Sequence, residues 1–200
     1  MIKHLVLDMG NVLLSWEPEA FALRAAGNEA DADILNTALF ASPQWPLHDA
    51  GQITEEELRL SARSRTPARL HAALDRLIDQ WPDWMAPIPG ALQFTLRARE
   101  AGLGLYLLSN AGTRFPQALL ARGIYPPFDG MVVSAHEKLS KPDPRLYQRL
   151  CQRFALQPES CLFVDDILVN VQAAQSIGMA AHHFDGDWAP VASRLRLSLR

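Results

Sequence analysis

Four short stretches of this 200-residue chain carry residue types that can do chemistry together. The run Leu5-Val6-Leu7 ends on Asp8 and is followed at once by Met9-Gly10-Asn11. The run Leu105-Tyr106-Leu107-Leu108 leads into Ser109-Asn110, and Lys141-Pro142 follows a later apolar segment. Finally, Cys161-Leu162-Phe163-Val164 ends at Asp165-Asp166. Brought to one place, these ends supply three carboxylates, a hydroxyl and an ammonium. Such a set suits phosphoryl transfer through a covalent aspartyl intermediate, in which a carboxylate attacks phosphorus and splits one hard step into two easier ones. A hard divalent cation held by oxygens lets the two anions approach. The hydroxyl, backbone amides and ammonium hold the remaining phosphoryl oxygens.

Those residues react together only if the chain positions them together. A short apolar run bounded by a turn residue reads as a buried strand of a parallel sheet, and ligands gather at the carboxyl ends of such strands. Asp8 is therefore expected at a strand end, with Gly10 allowing a sharp turn and close approach to a ligand. Further strands are expected over Gly104–Leu108, Met131–Ser134, Cys161–Val164 and Ala180–Phe184. Helices are expected between them at Gly90–Glu100, Thr113–Arg122, Pro144–Phe154 and Val169–Ile177. Five strands alternating with helices predict an α/β fold, a doubly wound, Rossmann-like parallel five-stranded sheet.

From Glu17 to Asp83 the pattern is helical instead. Helices are expected at Pro18–Ala26, Glu29–Phe40, Thr54–Arg63 and Pro67–Trp81, with a capping box at Thr54-Glu55-Glu56-Glu57. Pro43, Pro46 and Gly51 interrupt the middle, and Pro82 to Pro89 mark the return. The expected organisation is a core of residues 1–15 and 86–200 with an inserted α-helical cap of residues 16–85. The tail from Arg194 onward reads equally as frayed helix or edge strand.

The motifs L-V-L-D-M-G-N-V, L-L-S-N, K-P-D-P and F-V-D-D-I-L-V-N, in this order from Leu5 to Asn170, resemble those of the haloacid dehalogenase (HAD) superfamily of hydrolases. The branch is the one with a helical cap after strand one, and the G-N-V turn is similar to that of sugar-phosphate phosphatases acting on substrates such as glucose-1-phosphate. The resemblance implies a Mg²⁺-dependent phosphatase of small phosphate monoesters. It makes Asp8 the nucleophile, with Asp8, the Gly10 carbonyl, Asp165 and Asp166 holding Mg²⁺. Ser109 and the Asn110 backbone would bind the phosphoryl group, Lys141 would stabilise its charge and that of Asp8, and Asn170 would order the loop after strand four. The cap would set substrate choice, with Trp16 and Trp45 as apolar walls and His48 and Asp49 as hydroxyl readers; core packing within the bundle is the competing reading for Trp45. His136, His182 and His183 are expected to be structural.

One departure from the family pattern stands out. Most phosphatases of the superfamily carry a second aspartate two residues after the nucleophile as general acid and base, and here that residue is Gly10. Glu17, a cap residue or the substrate itself would have to carry the proton. Dehalogenases of the superfamily also lack that aspartate, so a metal-free 2-haloacid dehalogenase is the alternative, although the G-N-V turn and the Asp165-Asp166 pair speak against it. A binding protein on the same fold is the third reading.

Composition bounds the rest. With 19 Lys+Arg against 22 Asp+Glu the formal net charge is −3, which leaves no electrostatic footprint for nucleic acid or a membrane surface. No apolar run approaches a membrane span, and no signal-peptide pattern opens the chain. Two cysteines, Cys151 and Cys161, are too few for a disulfide framework and are expected to be buried thiols. The expected setting is cytoplasmic, the partner a small phosphorylated metabolite, and the state a monomer or weak homodimer.

Overall fold

A computed structural model describes residues 1–114 and 127–197. Its centre is a five-stranded, wholly parallel sheet formed by β1 (His4–Leu7), β2 (Gly104–Ser109), β3 (Gly130–Val133), β4 (Cys161–Asp165) and β5 (Ala180–His183), in the spatial order β3-β2-β1-β4-β5. The chain runs outward from β1 on one side and then returns to its other side at β4. The crevice beyond β1 and β4 is thus the switch point where α/β sheets bind ligands. Leu7 pairs with both Leu107 and Val164, so the next residue, Asp8, emerges between β2 and β4.

Both faces of the sheet are covered, which is why its strands read as unbroken apolar runs. Leu5, Leu7, Leu105, Leu107, Leu162 and Val164 point to one side. Val6, Tyr106, Leu108 and Phe163 point to the other, against Leu146, Tyr147 and Leu150.

Between β1 and α6 (Ala91–Glu100) lie the helices of the insertion: α1 (Pro18–Ala26), α2 (Glu29–Ala38), α3 (Gln44–Asp49), α4 (Glu55–Ser64) and α5 (His71–Trp84). The Thr54–Glu57 capping box is formed as expected, with Thr54 N–H donating to the Glu57 carboxylate at 2.7 Å and Glu57 N–H to the Thr54 hydroxyl at 3.1 Å. The apolar interior of the insertion is continuous with one face of the sheet: Phe21, Leu35, Leu58, Leu74 and Leu77 belong to the same packed cluster as Leu7 and Leu107. At its two ends the chain lies side by side. Ser15 N–H donates to the Ala86 carbonyl at 2.7 Å, Ala86 N–H returns to the Ser15 hydroxyl at 3.0 Å, and Ile88 N–H donates to the Leu13 carbonyl at 2.8 Å.

Two elements differ from the sequence reading. Helix α3 occupies the stretch that Pro43, Pro46 and Gly51 were expected to break; Pro46 lies in its first turn, where a missing N–H costs nothing. Helix α5 continues through Pro82 to Trp84. The carbonyl that Pro82 leaves without an intrahelical donor, that of Ile78, accepts instead from the Arg114 guanidinium at 3.1 Å.

The helix expected at Thr113–Arg122 falls largely outside the described residues. Beyond β3 follow α7 (Ser134–Glu137), α8 (Pro144–Arg153), α9 (Leu168–Ser176) and α10 (Ala189–Leu195). The start of the tail is therefore helical, and residues 198–200 lie outside the described set. Cys151 and Cys161 are buried free thiols. Among the described residues no helix is long and apolar enough to cross a membrane.

Candidate active site

Asp8, the first residue past β1, is 7% exposed and fixed by its N–H to the Val164 carbonyl at 2.9 Å. Asp165, the last residue of β4, is fully buried. Lys141 reaches both from the loop after α7: its Nζ lies 2.7 Å from Asp8 Oδ1 and 2.6 Å from Asp165 Oδ2. One carboxylate oxygen from each of Asp8, Asp165 and Asp166 lies within 4.8 Å of the other two. Three carboxylates against a single ammonium leave an excess of negative charge in a dry site, and Asp8 Oδ1 is buried without an aligned hydrogen-bond donor. An all-oxygen set of this kind fits a hard divalent cation.

Burial sets the proton affinities. It raises the Asp8 carboxyl above the usual range; Lys141 pulls it back and Asp165 pushes it further up. Burial alone would depress Lys141, but Asp8 and Asp165 hold it above its ordinary value as a firm cation. Asp166, half-buried, is also raised, again chiefly by burial, with Asn11 pulling the other way.

Side chains behind the cluster fix its geometry. Asn170 donates to both oxygens of Asp165 at 3.0 and 3.2 Å, and Ile167 N–H donates to Asp165 Oδ1 at 2.8 Å. The Asn110 carboxamide does not face a ligand. It clamps the backbone of Lys141, accepting from its N–H at 2.8 Å and donating to its carbonyl at 2.9 Å across a cis Lys141–Pro142 bond. Only the main chain of Asn110 is left for a phosphoryl group. Ser109, 1% exposed, ends β2 at the same cavity.

The turn after Asp8 differs from its expected form. Gly10 is not in the left-handed region, and a Cβ there would make ordinary contact with Trp16 at 3.7 Å. The left-handed residue is Asn11, with φ 52°, and its side chain explains why: it donates to Asp166 at 3.0 Å and accepts from Trp16 N–H at 2.9 Å. Nothing in the spacing of the motif signalled this brace.

A cavity of about 360 Å³ joins the carboxylates to the helical insertion. Asp8, Gly10, Ser109, Asn110, Lys141 and Asp166 line it from the sheet side, and Trp16, Trp45, Asp49 and Trp81 from the helical insertion. Trp16 and Trp45 stack with centroids 5.6 Å apart, and Trp81 meets both edge-on, so Trp45 is at once packing and wall. Trp81 was visible in the sequence only as part of a helix face. His48 turns away from the cavity, its ring against Gly112, and Glu17 is exposed outside it. His136 and His183 bond to the backbone carbonyls of Thr113 and Asp166.

Comparison with known proteins bears on the fold and the family. The sesquiterpene phosphatase of Aspergillus oryzae is 27% identical over 184 residues, covering 90% of this chain and 89% of its own. The fructose-1-phosphate phosphatase of Escherichia coli is 29% identical over 190 residues, covering 88% and 93%. A HAD family enzyme of Bacteroides thetaiotaomicron, solved in complex with magnesium and inorganic phosphate, superposes with a TM-score of 0.76 at 21% identity, covering 96% of this chain and 99% of its own. 2-Haloacid dehalogenases are among the further matches. The family model for haloacid dehalogenase-like hydrolases matches residues 2–178, and the chain belongs to that family.

Proposed function

We propose that the protein is a Mg²⁺-dependent phosphatase that hydrolyses small phosphate monoesters through an aspartyl-phosphate on Asp8. The observation that carries this reading is the meeting of three carboxylates and one buried ammonium at the switch point of the sheet. An Asp8 oxygen attacks phosphorus, the bond to the ester oxygen breaks, and water then releases phosphate and regenerates Asp8. Lys141 offsets the charge of the nucleophile and of the phosphoryl oxygens, while Ser109 and the Asn110 backbone orient them. Asp8, the Gly10 carbonyl, Asp165 and Asp166 would hold Mg²⁺, which supplies charge neutralisation between the anions when bound. Residues 16–85 act as the cap that covers the cavity and excludes water. The resemblance of the G-N-V turn and the fructose-1-phosphate relative favour a sugar phosphate; the sesquiterpene phosphatase relative favours an apolar one.

The test is hydrolysis of p-nitrophenyl phosphate with Mg²⁺. Activity is expected to vanish with EDTA and in Asp8→Asn. Chloride release from 2-chloropropionate that is indifferent to EDTA would establish the dehalogenase instead. Intact Mg²⁺ binding without turnover of any phosphate ester would favour a binding protein.

A further inference from the structure

We propose that the organic part of the substrate is apolar, so that the phosphate monoester of a hydrophobic alcohol, rather than a sugar phosphate, fills the cavity. This rests on the phosphatase reading above. From the helical insertion Trp16, Trp45, Trp81 and Met85 line the cavity, and Met9 and Ile167 add apolar surface from the sheet side. A sugar offers a hydroxyl on nearly every carbon, and each one buried here needs a partner. The polar side chains of this cavity are already engaged: Asn11 with Asp166 and Trp16, Asn170 with Asp165, and Asn110 with the Lys141 backbone. Ser109 serves the phosphoryl group and Asp49 receives His48 and Trp45, so little beyond the unpartnered Ser140 hydroxyl remains among the described residues for a polyol. Three indoles offer broad apolar surface that a hydrocarbon chain covers without leaving a hydroxyl unpaired. Of the lining residues Ile167 is half exposed, and Leu168 and Val169, also half exposed, follow it in the first turn of α9.

Citronellyl phosphate and fructose-1-phosphate both leave primary alkoxides, so comparing them isolates recognition from leaving-group chemistry. With Mg²⁺ present, kcat/KM is expected to be at least about tenfold higher for citronellyl phosphate. Trp45→Ala should raise KM for that ester about tenfold while inhibition by inorganic phosphate stays unchanged, and Trp45→Phe should recover most of the loss. Equal or better turnover of fructose-1-phosphate overturns the proposal, as does an unchanged KM in Trp45→Ala. If p-nitrophenyl phosphate is hydrolysed but citronellyl phosphate is not, the substrate class fails alone. If neither is hydrolysed, the phosphatase reading itself fails.

A separate observation concerns the proton that Gly10 cannot carry. Three carboxylates line the cavity: Asp8, Asp166 and Asp49. Asp8 is assigned as nucleophile, and Asp166 is braced by Asn11 beside it. Asp49 sits on α3, which is pinned to the core at several points. The Ser134 hydroxyl donates to the Asp49 carbonyl, a Cβ on Gly51 would run into the Ala135 carbonyl, and Gly112 abuts the His48 ring. We infer that Asp49 is the general acid and base. As an acid it protonates the ester oxygen while the bond to phosphorus breaks; as a carboxylate it then takes a proton from the water whose oxygen attacks the phosphoryl group on Asp8. Burial holds its carboxyl above the usual range, with His48 and Trp45 pulling the other way.

Because nitrophenolate leaves without a proton, Asp49→Asn acting on p-nitrophenyl phosphate is expected to release one equivalent in a burst. Steady turnover should then be slower than wild type by about 10²-fold or more. On citronellyl phosphate the variant should show the loss without a burst. Turnover within about threefold of wild type on both esters overturns the inference, and so does a loss on p-nitrophenyl phosphate with no burst. Failure of the phosphatase reading shows separately, as a wild-type protein inactive with Mg²⁺.

Discussion

Lys141→Ala removes what is, among the described residues, the one cation of a site whose charge is otherwise all negative. The Lys141 side chain and those of its partners Asp8 and Asp165 are all buried. At 2.7 and 2.6 Å, each contact is worth roughly 6 kcal/mol before desolvation at an effective dielectric near 20. Burial of the ammonium and carboxylates offsets most of that. What the variant exposes is the cost of leaving the carboxylates buried and unpaired, about 3–5 kcal/mol. In a chain of this size that lowers Tm by roughly 6–20 °C. The pH dependence has a definite sign. Asp8 in the folded protein already lies above its unfolded value, and loss of Lys141 lifts it further. A raised carboxyl favours the folded state while protonated, so stability is lost as pH rises through it. The deficit of Lys141→Ala in metal-free urea denaturation should therefore be large at pH 7 and smaller at pH 5, and Mg²⁺ should recover part of it at pH 7. A deficit below about 1 kcal/mol, or one identical at both pH values, would refute the assignment of Lys141 as the counter-charge of this cluster.

Asn170→Ala removes two hydrogen bonds from Asp165 and is expected to weaken Mg²⁺ binding by about 10–100-fold, read by titration calorimetry. Gly51→Ala places a Cβ against the Ala135 carbonyl at φ 64° and should cost about 2–3 kcal/mol in urea denaturation. Asp31 is held down to about 2 by hydrogen bonds from Arg69 and then Asn28. A depressed carboxylate contributes above its unfolded value and loses that contribution as pH falls through its folded one. Asp31→Asn should thus flatten the fall in Tm between about pH 4 and pH 2.

The parts of the site that follow from local pattern were legible in the sequence. Apolar runs ending in Asp8, Ser109 and Asp165 announced parallel strands because both faces of this sheet are covered, and the Thr54–Glu57 box announced its helix because both of its bonds are local. The less legible parts depend on contacts distant in sequence. Asn11 takes the left-handed turn because Asp166 and Trp16 receive its side chain, and Asn110 turns its amide to a lysine 31 residues away. Helix α3 was hidden by its prolines. Helix α5 outran Pro82 because Arg114 supplies the donor that proline lacks.

The bonds between Ser15 and Ala86 bear on how the chain reaches its fold. Residue 4 pairs with residue 104, one of the most distant strand pairings in the sheet and so among the slowest to find. With the two ends of the insertion tied, the effective loop between those partners shrinks from roughly 100 to roughly 30 residues, which lowers the entropic cost of closing it by about 1 kcal/mol. A substitution that loosens Ser15 from Ala86 is therefore expected to slow the pairing of β1 with β2, in a sheet it does not touch.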